Sequence, residues 1–291
     1  MHKSRIALGT AQFGLPYGIA NRRGQVGRAD LSAILHRART AGIDTLDTAI
    51  AYGDSEQRLG ESGVGRWRVI TKLPELPVPC ADIAAWARTS VRESLAKLRL
   101  ARLGAVLLHR PLQLLGPQGP ALLAALLALK HEGLVEKVGI SIYAPSDLDA
   151  LWHRFRPELV QAPLNVLDRR LLTSGWMATM HAAGTEIHVR SVFLQGLLLM
   201  DAASRPAMFS RWQPLWDQWT RWLGEASVSP LRACLGLALS QPEVSRVVVG
   251  VDSPEQLEEI LGATLGPNLV PPSALACTDA DLLDPSRWAL Q

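Results

Sequence analysis

IDTLDTAIAYGDSEQRLGES (43–62) reads as a strand, IDTLDTA (43–49), that turns into a short helix, SEQRLGES (55–62), with Ser55 as a possible cap. The unit recurs downstream. VITKL (69–73) is a second strand-like run, followed after the Pro-rich PELPVP by a helix from Asp82 to about Leu98. GAVLLH (104–109) is a third, followed by ALLAALLALKHEG, which stops at Gly133. Upstream, RIALGTAQFG (5–14) is a strand leading into a loop through Gly18, Gly24 and Gly27. DLSAILHRARTAG (30–42) is then a helix with Asp30 as N-cap and Gly42 as its stop.

The alternation continues. Strands are expected at KVGISIY (137–143), ELVQAPLN (158–165), TEIHVRSVFLQG (185–196) and SRVVVGV (245–251). Helices open at Pro145–Asp147, cover 171–183 and fill much of 205–240. SPEQLEEIL (253–261) forms one with Ser253 as N-cap and Pro254 at its first position. Eight strands, each followed by a helix, predict a (β/α)8 TIM barrel. A doubly wound open sheet fits less well, because no GxGxxG follows the first strand. With no Pro/Gly/Ser-rich linker, residues 1–291 are expected to form a single domain.

Composition narrows the class. A chain that is 48% hydrophobic over 291 residues can bury one large core. Its formal net charge of +3 is spread along the sequence, so neither a nucleic-acid stripe nor an anionic membrane surface is expected as partner. The longest apolar run, ALLAALLAL (121–129), is too short to span a bilayer. MHKSRIALGT carries no apolar leader core. Cys80, Cys234 and Cys277 are odd in number and far apart, which points to a reduced, cytoplasmic protein. His131, His153, His181 and His188 show no metal-ligand spacing, and no metal is expected.

The chemistry gathers on three strand ends. Asp47, Tyr52, Lys72 and His109 bring an acid, a phenol, an amine and an imidazole to the carboxyl edge, where such barrels carry their active sites. Singly, each has an ordinary structural reading; together they form a proton-donating site for a carbonyl oxygen. Tyr52 would be the general acid/base once its pKa, normally about 10, is lowered by the Lys72 cation. Asp47 would hold Lys72, and His109 would orient the carbonyl.

DTAIAYGDSEQRLGE (47–61), ITK (70–72) and LLHRP (107–111) together resemble the aldo-keto reductase family. The likeness extends through LGTAQFG (8–14), GIS (139–141), Gln161 with Asn165, SVFLQGLL (191–198) and GVDSPEQLEE (250–259). It implies that Asp47, Tyr52, Lys72 and His109 are a catalytic tetrad, with a small-molecule carbonyl as substrate and NADPH as the usual hydride donor. It also implies that Ser141 and Gln161 meet the nicotinamide carboxamide and that Ser191 meets the ring or pyrophosphate. Gln195, Gly196 and Leu198 would lie over the pyrophosphate. Gly250, Asp252, Ser253, Gln256 and Glu259 would surround the adenosine phosphate, at the N–H groups of the helix opening at Ser253–Pro254.

Three departures bear on these expectations. Ser141–Ile142–Tyr143 stands where many members have Ser-Asn, so one amide contact is lost and Tyr143 could face the site. Gly250 and Gln256 occupy places where many NADPH users carry cations, with Asp252 between them, so NADH is a possible cofactor. The N-terminal hairpin that plugs many of these barrels is absent or very short. Tyr17 and Trp216 are further substrate-pocket candidates. Trp216 lies on a stripe with Trp212, Trp219 and Trp222 that fits either a helix packed on the barrel, a pocket wall or a subunit contact. Arg190 suits either an ion pair inside the barrel or an anionic substrate. Two other functions fit the residues: a non-catalytic cofactor-sensing barrel, and a Schiff-base aldolase using Lys72.

Overall fold

The computed structural model describes residues 4–265 and 270–288, so Met1–Lys3 of the stretch read for a leader lie outside it. Eight parallel strands close into a barrel in sequence order, each pairing with the next and the last with the first. They are β1 (Ile6–Gly9), β2 (Thr45–Asp47), β3 (Arg68–Leu73), β4 (Ala105–Leu108), β5 (Val138–Ser141), β6 (Leu159–Pro163), β7 (Glu186–Arg190) and β8 (Val244–Gly250). This is the (β/α)8 barrel expected.

Strands buried on both faces need no polar alternation, and AVLL of β4 has none. One face of each strand packs outward under the helices, through residues such as Val69, Val106, Ile140, Val160 and Val189. The other fills the barrel in layers. Ile70, Ala105, Leu107 and Leu159 form a small apolar middle. Above them, toward the carboxyl edge, lie Asp47, Lys72, Ser141, Gln161 and Arg190, and below them a charged layer. There Glu186 binds Arg68 Nη2 at 2.8 Å, Lys137 Nζ at 2.8 Å and His188 Nε2 at 2.7 Å. Arg246 reaches Asp44 at 3.2 Å. Among the described residues β1 is the first element, with no hairpin before it, and these ion pairs occupy the amino-terminal end of the barrel.

Several element ends differ from the sequence reading. The first strand stops at Gly9, because Thr10 turns inward and donates from N and Oγ1 to Asp47 O, at 2.9 and 3.0 Å. Ala11–Gly14 is then a helical turn. Asp30 is not an N-cap: the helix runs Arg28–Thr40 from Gly27, and Asp30 sits in its first turn, where the dipole suits an acid. Ser55 does not cap its helix either. Its buried hydroxyl donates to Thr10 O at 2.9 Å and pins the turn to β1. The helix expected over 171–183 breaks into Arg170–Thr173 and Trp176–Ala182 around Gly175. Asp82 and Ser253 do cap, accepting from Ala85 N and Gln256 N.

The tryptophan stripe is structural. In the helix Gln213–Glu225, Trp216 and Trp219 are buried, and Trp216 Nε1 donates to Phe209 O at 2.9 Å. The Arg205 guanidinium lies 4.2 Å from its ring. Trp288, near the end of the chain, packs edge-on against Phe209 at 4.9 Å, which brings the C-terminal segment back over the barrel.

Candidate active site

A cavity of about 800 Å³ opens at the carboxyl edge. Asp47 and His109 reach it from the ends of β2 and β4. Tyr52 reaches it differently from the strand end expected: it sits in a turn beyond β2, closed by Tyr52 N to Ala49 O and Ser55 N to Tyr52 O, both 3.0 Å. The turn is clamped by two glycines. A Cβ on Gly14 would lie 1.8 Å from Tyr52 O, and one on Gly53, already at φ +56°, would lie 2.4 Å from Gly14 O. Only glycines let these segments touch.

Beneath Tyr52, Lys72 is 1% exposed and donates to Asp47 Oδ2 at 2.7 Å and Thr48 O at 2.9 Å. Its nitrogen lies 5.2 Å from the Tyr52 ring centroid. Gln161 Nε2 donates to the other Asp47 oxygen at 2.7 Å, so one carboxylate orients both neighbours. The His109 ring meets Tyr52 edge-on at 6.1 Å. Lys72 itself does not line the cavity; it works from behind Asp47 and Tyr52.

The electrostatics depart from the expectation that Lys72 lowers the Tyr52 pKa. Burial pushes the phenol above its ordinary value; Asp47 adds to this, and Arg190 opposes it. Lys72 itself donates to Asp47 and Thr48. Burial also lowers Lys72, against the pull of Asp47. Burial, with the nearby charges of Lys72 and Arg190, takes His109 down to about 4, so its imidazole is neutral at neutral pH.

Ser141 and Gln161 are register partners across β5 and β6. Ser141 Oγ and Gln161 Oε1 are buried without a hydrogen-bond partner, although only Gln161 lines the cavity. After β7 the backbone turns left-handed at Ser191 and again at Leu194, Gln195 and Gly196. Among the described residues, the N–H groups of Val192, Phe193 and Gln195 find no acceptor. Ser191, Gln195 and Gly196 line the cavity; Leu198 is buried and anchors the loop in the core. Tyr17, from the loop after β1, also lines it and accepts from Gln195 Nε2 at 3.2 Å.

Gly250, Asp252, Gln256 and Glu259 line the β8 end of the cavity, while Ser253 is buried as the helix cap. The helix start is less open than expected. Ser253 Oγ accepts from Gln256 N, Gln256 Oε1 accepts from Asp252 N at 2.8 Å, and the Glu255 carboxylate is held low by Ser253 and its own N–H. Burial raises the Asp252 carboxyl, and its Oδ1 has no partner. Trp216 is not in the cavity wall, because its indole is packed in the core as described. Tyr143 does line it. The sequence reading did not identify Gln12, Phe193, Met200, Ser229–Leu231 or Asp284–Ser286, which line it as well. Arg190, expected either in an ion pair inside the barrel or at an anionic substrate, makes no ion pair among the described residues and faces the cavity as the third inward position of Glu186–His188–Arg190.

Among the described residues no helix is long and apolar enough to cross a membrane, and no cluster of three or more His, Cys, Asp or Glu could hold a metal ion. Methylglyoxal reductase DkgA of Salmonella typhimurium is 29% identical over 164 residues, covering 54% of this chain and 57% of that protein. The match thus spans little more than half of that curated relative. A Pseudomonas aeruginosa structure described as a candidate aldo-keto reductase is 26% identical with TM-score 0.66, covering 90% of each chain. The holo form of a Bacillus halodurans aldo-keto reductase shares the fold at TM-score 0.71 and 21% identity, over 93% of this chain and 89% of its own. The aldo/keto reductase family model matches residues 5–271. With a closed barrel that carries Asp47, Tyr52 and His109 around one cavity and Lys72 behind them, and a family match over nearly its whole length, the chain belongs to the aldo/keto reductase family.

Proposed function

We propose that the chain reduces the carbonyl of a small aldehyde or ketone, or runs the reverse reaction, with Tyr52 as general acid/base. The observation that carries this reading is the Lys72–Asp47 pair at 2.7 Å, set beneath a phenol that faces the cavity beside a neutral imidazole. When bound, a reduced nicotinamide supplies the hydride, which enters the carbonyl carbon with its electron pair. Tyr52 gives the oxygen its proton, and solvent returns one to the phenolate. His109 donates an N–H to the carbonyl oxygen and fixes its direction. Lys72 keeps one N–H free of Asp47 and Thr48 for the phenol oxygen.

The residues fit a nicotinamide cofactor. The partnerless Ser141 Oγ and Gln161 Oε1 suit an amide, and the free N–H groups of the loop after β7 suit a pyrophosphate. At the β8 end Asp252 and Glu259 face the cavity, and Arg23 is engaged with Asp30 and Glu255 at 3.6 and 3.9 Å. That acidic surround supports a ribose 2′-hydroxyl over a 2′-phosphate, hence NADH ahead of the NADPH usual in the family. Three free cysteines support a reducing, cytoplasmic setting.

Tyr52→Phe tests the assignment: turnover should fall by roughly 100- to 10,000-fold, while cofactor quenching of tryptophan fluorescence persists. Retained turnover overturns it. Persistent quenching with no carbonyl reduced by the wild type would instead favour a cofactor sensor. An aldolase reading meets a specific obstacle, since Lys72 is buried behind the cavity wall and bound to Asp47. Borohydride trapping should leave Lys72 unlabelled.

A further inference from the structure

Among the described residues Arg190 is the only lysine or arginine lining the cavity. It is held there firmly. Nη1 donates to Ser191 Oγ and Nη2 to Ile142 O, each at 3.0 Å, and its guanidinium lies 4.9 Å from the Tyr143 ring centroid. Arg110 lies 4.8 Å from the same ring. Among the described residues, neither guanidinium has a carboxylate within ion-pairing distance. The carboxylates lining the cavity have other engagements or positions. Asp47 is bound to Lys72 and Gln161, Asp284 takes Ser286 N and Oγ, and Asp252 and Glu259 lie at the β8 end.

Two of the five guanidinium N–H bonds are therefore used for positioning, and three remain to donate. A fixed, unpaired guanidinium inside a barrel is costly unless an anion joins it, and its fork matches carboxylate and phosphate oxygens. Its location is the reacting end of the cavity: its charge acts on Tyr17, Tyr52, Lys72 and His109. We propose that Arg190 receives the anionic group, carboxylate or phosphate, of the carbonyl substrate, so that the site prefers anionic carbonyl compounds to neutral ones of the same shape. This rests on the reductase reading above. A rival occupant of the same guanidinium is the cofactor pyrophosphate, and the test separates the two.

The experiment compares 4-carboxybenzaldehyde with its methyl ester, and glyceraldehyde 3-phosphate with glyceraldehyde, in wild type, Arg190→Met and Arg190→Lys. The wild type should favour the anionic member of at least one pair. Arg190→Met should lower that kcat/KM ratio by roughly 10- to 100-fold, mainly through KM, and Arg190→Lys should recover part of it. Which pair responds identifies carboxylate or phosphate. A ratio unchanged in both pairs overturns the proposal. So does a rise in cofactor Kd, read by tryptophan quenching, that exceeds the fall in ratio. Should the wild type reduce none of the four, the reductase reading fails, and calorimetry still tests Arg190. Benzoate or inorganic phosphate bound by wild type and not by Arg190→Met sustains the anion site; equal or no binding overturns it.

Discussion

Lys72 Nζ and Asp47 Oδ2 stand 2.7 Å apart, with both side chains almost fully buried, at the carboxyl ends of two adjacent strands. Such a pair contributes little net stability when intact but is expensive to break, because the survivor is left as an uncompensated charge. Asp47→Asn should therefore cost about 3–5 kcal/mol in urea unfolding at pH 7, and should also abolish turnover by freeing Lys72 and Gln161. Adding Lys72→Met should restore most of the stability and none of the activity. Additive losses in the double variant would show that the two charges do not depend on each other.

Neutral His109 has a pH signature. Its folded pKa of about 4 lies below the unfolded value near 6.5, so the unfolded chain binds more protons between those limits. The stability from this group is thus complete above pH 6.5 and is lost as pH falls toward 4, by at most about 3 kcal/mol. His109→Gln should flatten that part of the unfolding free energy against pH. An unchanged acid limb in the variant would contradict the assignment.

Tyr52, pushed above its ordinary pKa by burial, is a protonated phenol at neutral pH. In the proposed reaction reduction uses that form, whereas oxidation of an alcohol needs the phenolate. Reduction kcat/KM should stay level from pH 6 to 9 on account of this group, while alcohol oxidation should climb throughout the same range. A reduction rate that declines with an apparent pKa near 7 would indicate a phenol that its surroundings acidify.

Asp252 should set cofactor choice. Its unpartnered Oδ1 at the β8 end can accept from a ribose hydroxyl and repels a phosphate. Asp252→Asn should weaken NADH and strengthen NADPH, shifting the ratio of their Kd values by roughly 10-fold. An unmoved ratio would place the adenosine ribose elsewhere.

Much of the site was readable because strand ends are local. Asp47, Lys72 and His109 follow from hydrophobic runs that stop, and Ser253 from a cap signal with nothing competing for its hydroxyl. Ser55 and Asp30 misled for a physical reason: side chains of cap type also serve tertiary contacts, and Ser55 spends its hydroxyl on Thr10. Trp216 misled because helical spacing says which face is apolar, not what that face meets. Arg190 was legible as one of two readings, and its place as the third polar residue at alternate positions in Glu186–His188–Arg190 is the signal that puts it on the inward face. Asp284–Ser286 was not, since tertiary docking of the C-terminal segment, through buried Leu282, Leu283 and Trp288, brings it to the cavity.

The charged layer below the apolar middle yields a prediction about stability apart from activity. Burial opposes the Glu186 charge, yet His188, Arg68 and Lys137 together hold its carboxyl well below the usual carboxylate range. A depressed folded pKa means stability that is present above about pH 4.5 and lost as pH falls below it. Glu186→Gln leaves two cations facing each other around a buried imidazole and should cost about 3 kcal/mol at pH 7. It should also shrink the loss of stability on acidification, since the group that titrates is gone. Arg68→Met added to Glu186→Gln should recover part of the loss. Turnover per folded molecule should change little, because Glu186 bonds neither Asp47 nor Lys72 and reaches their layer only through His188, the register neighbour of Gln161. A turnover change that tracks Glu186 protonation would mean that the two polar layers communicate through that middle.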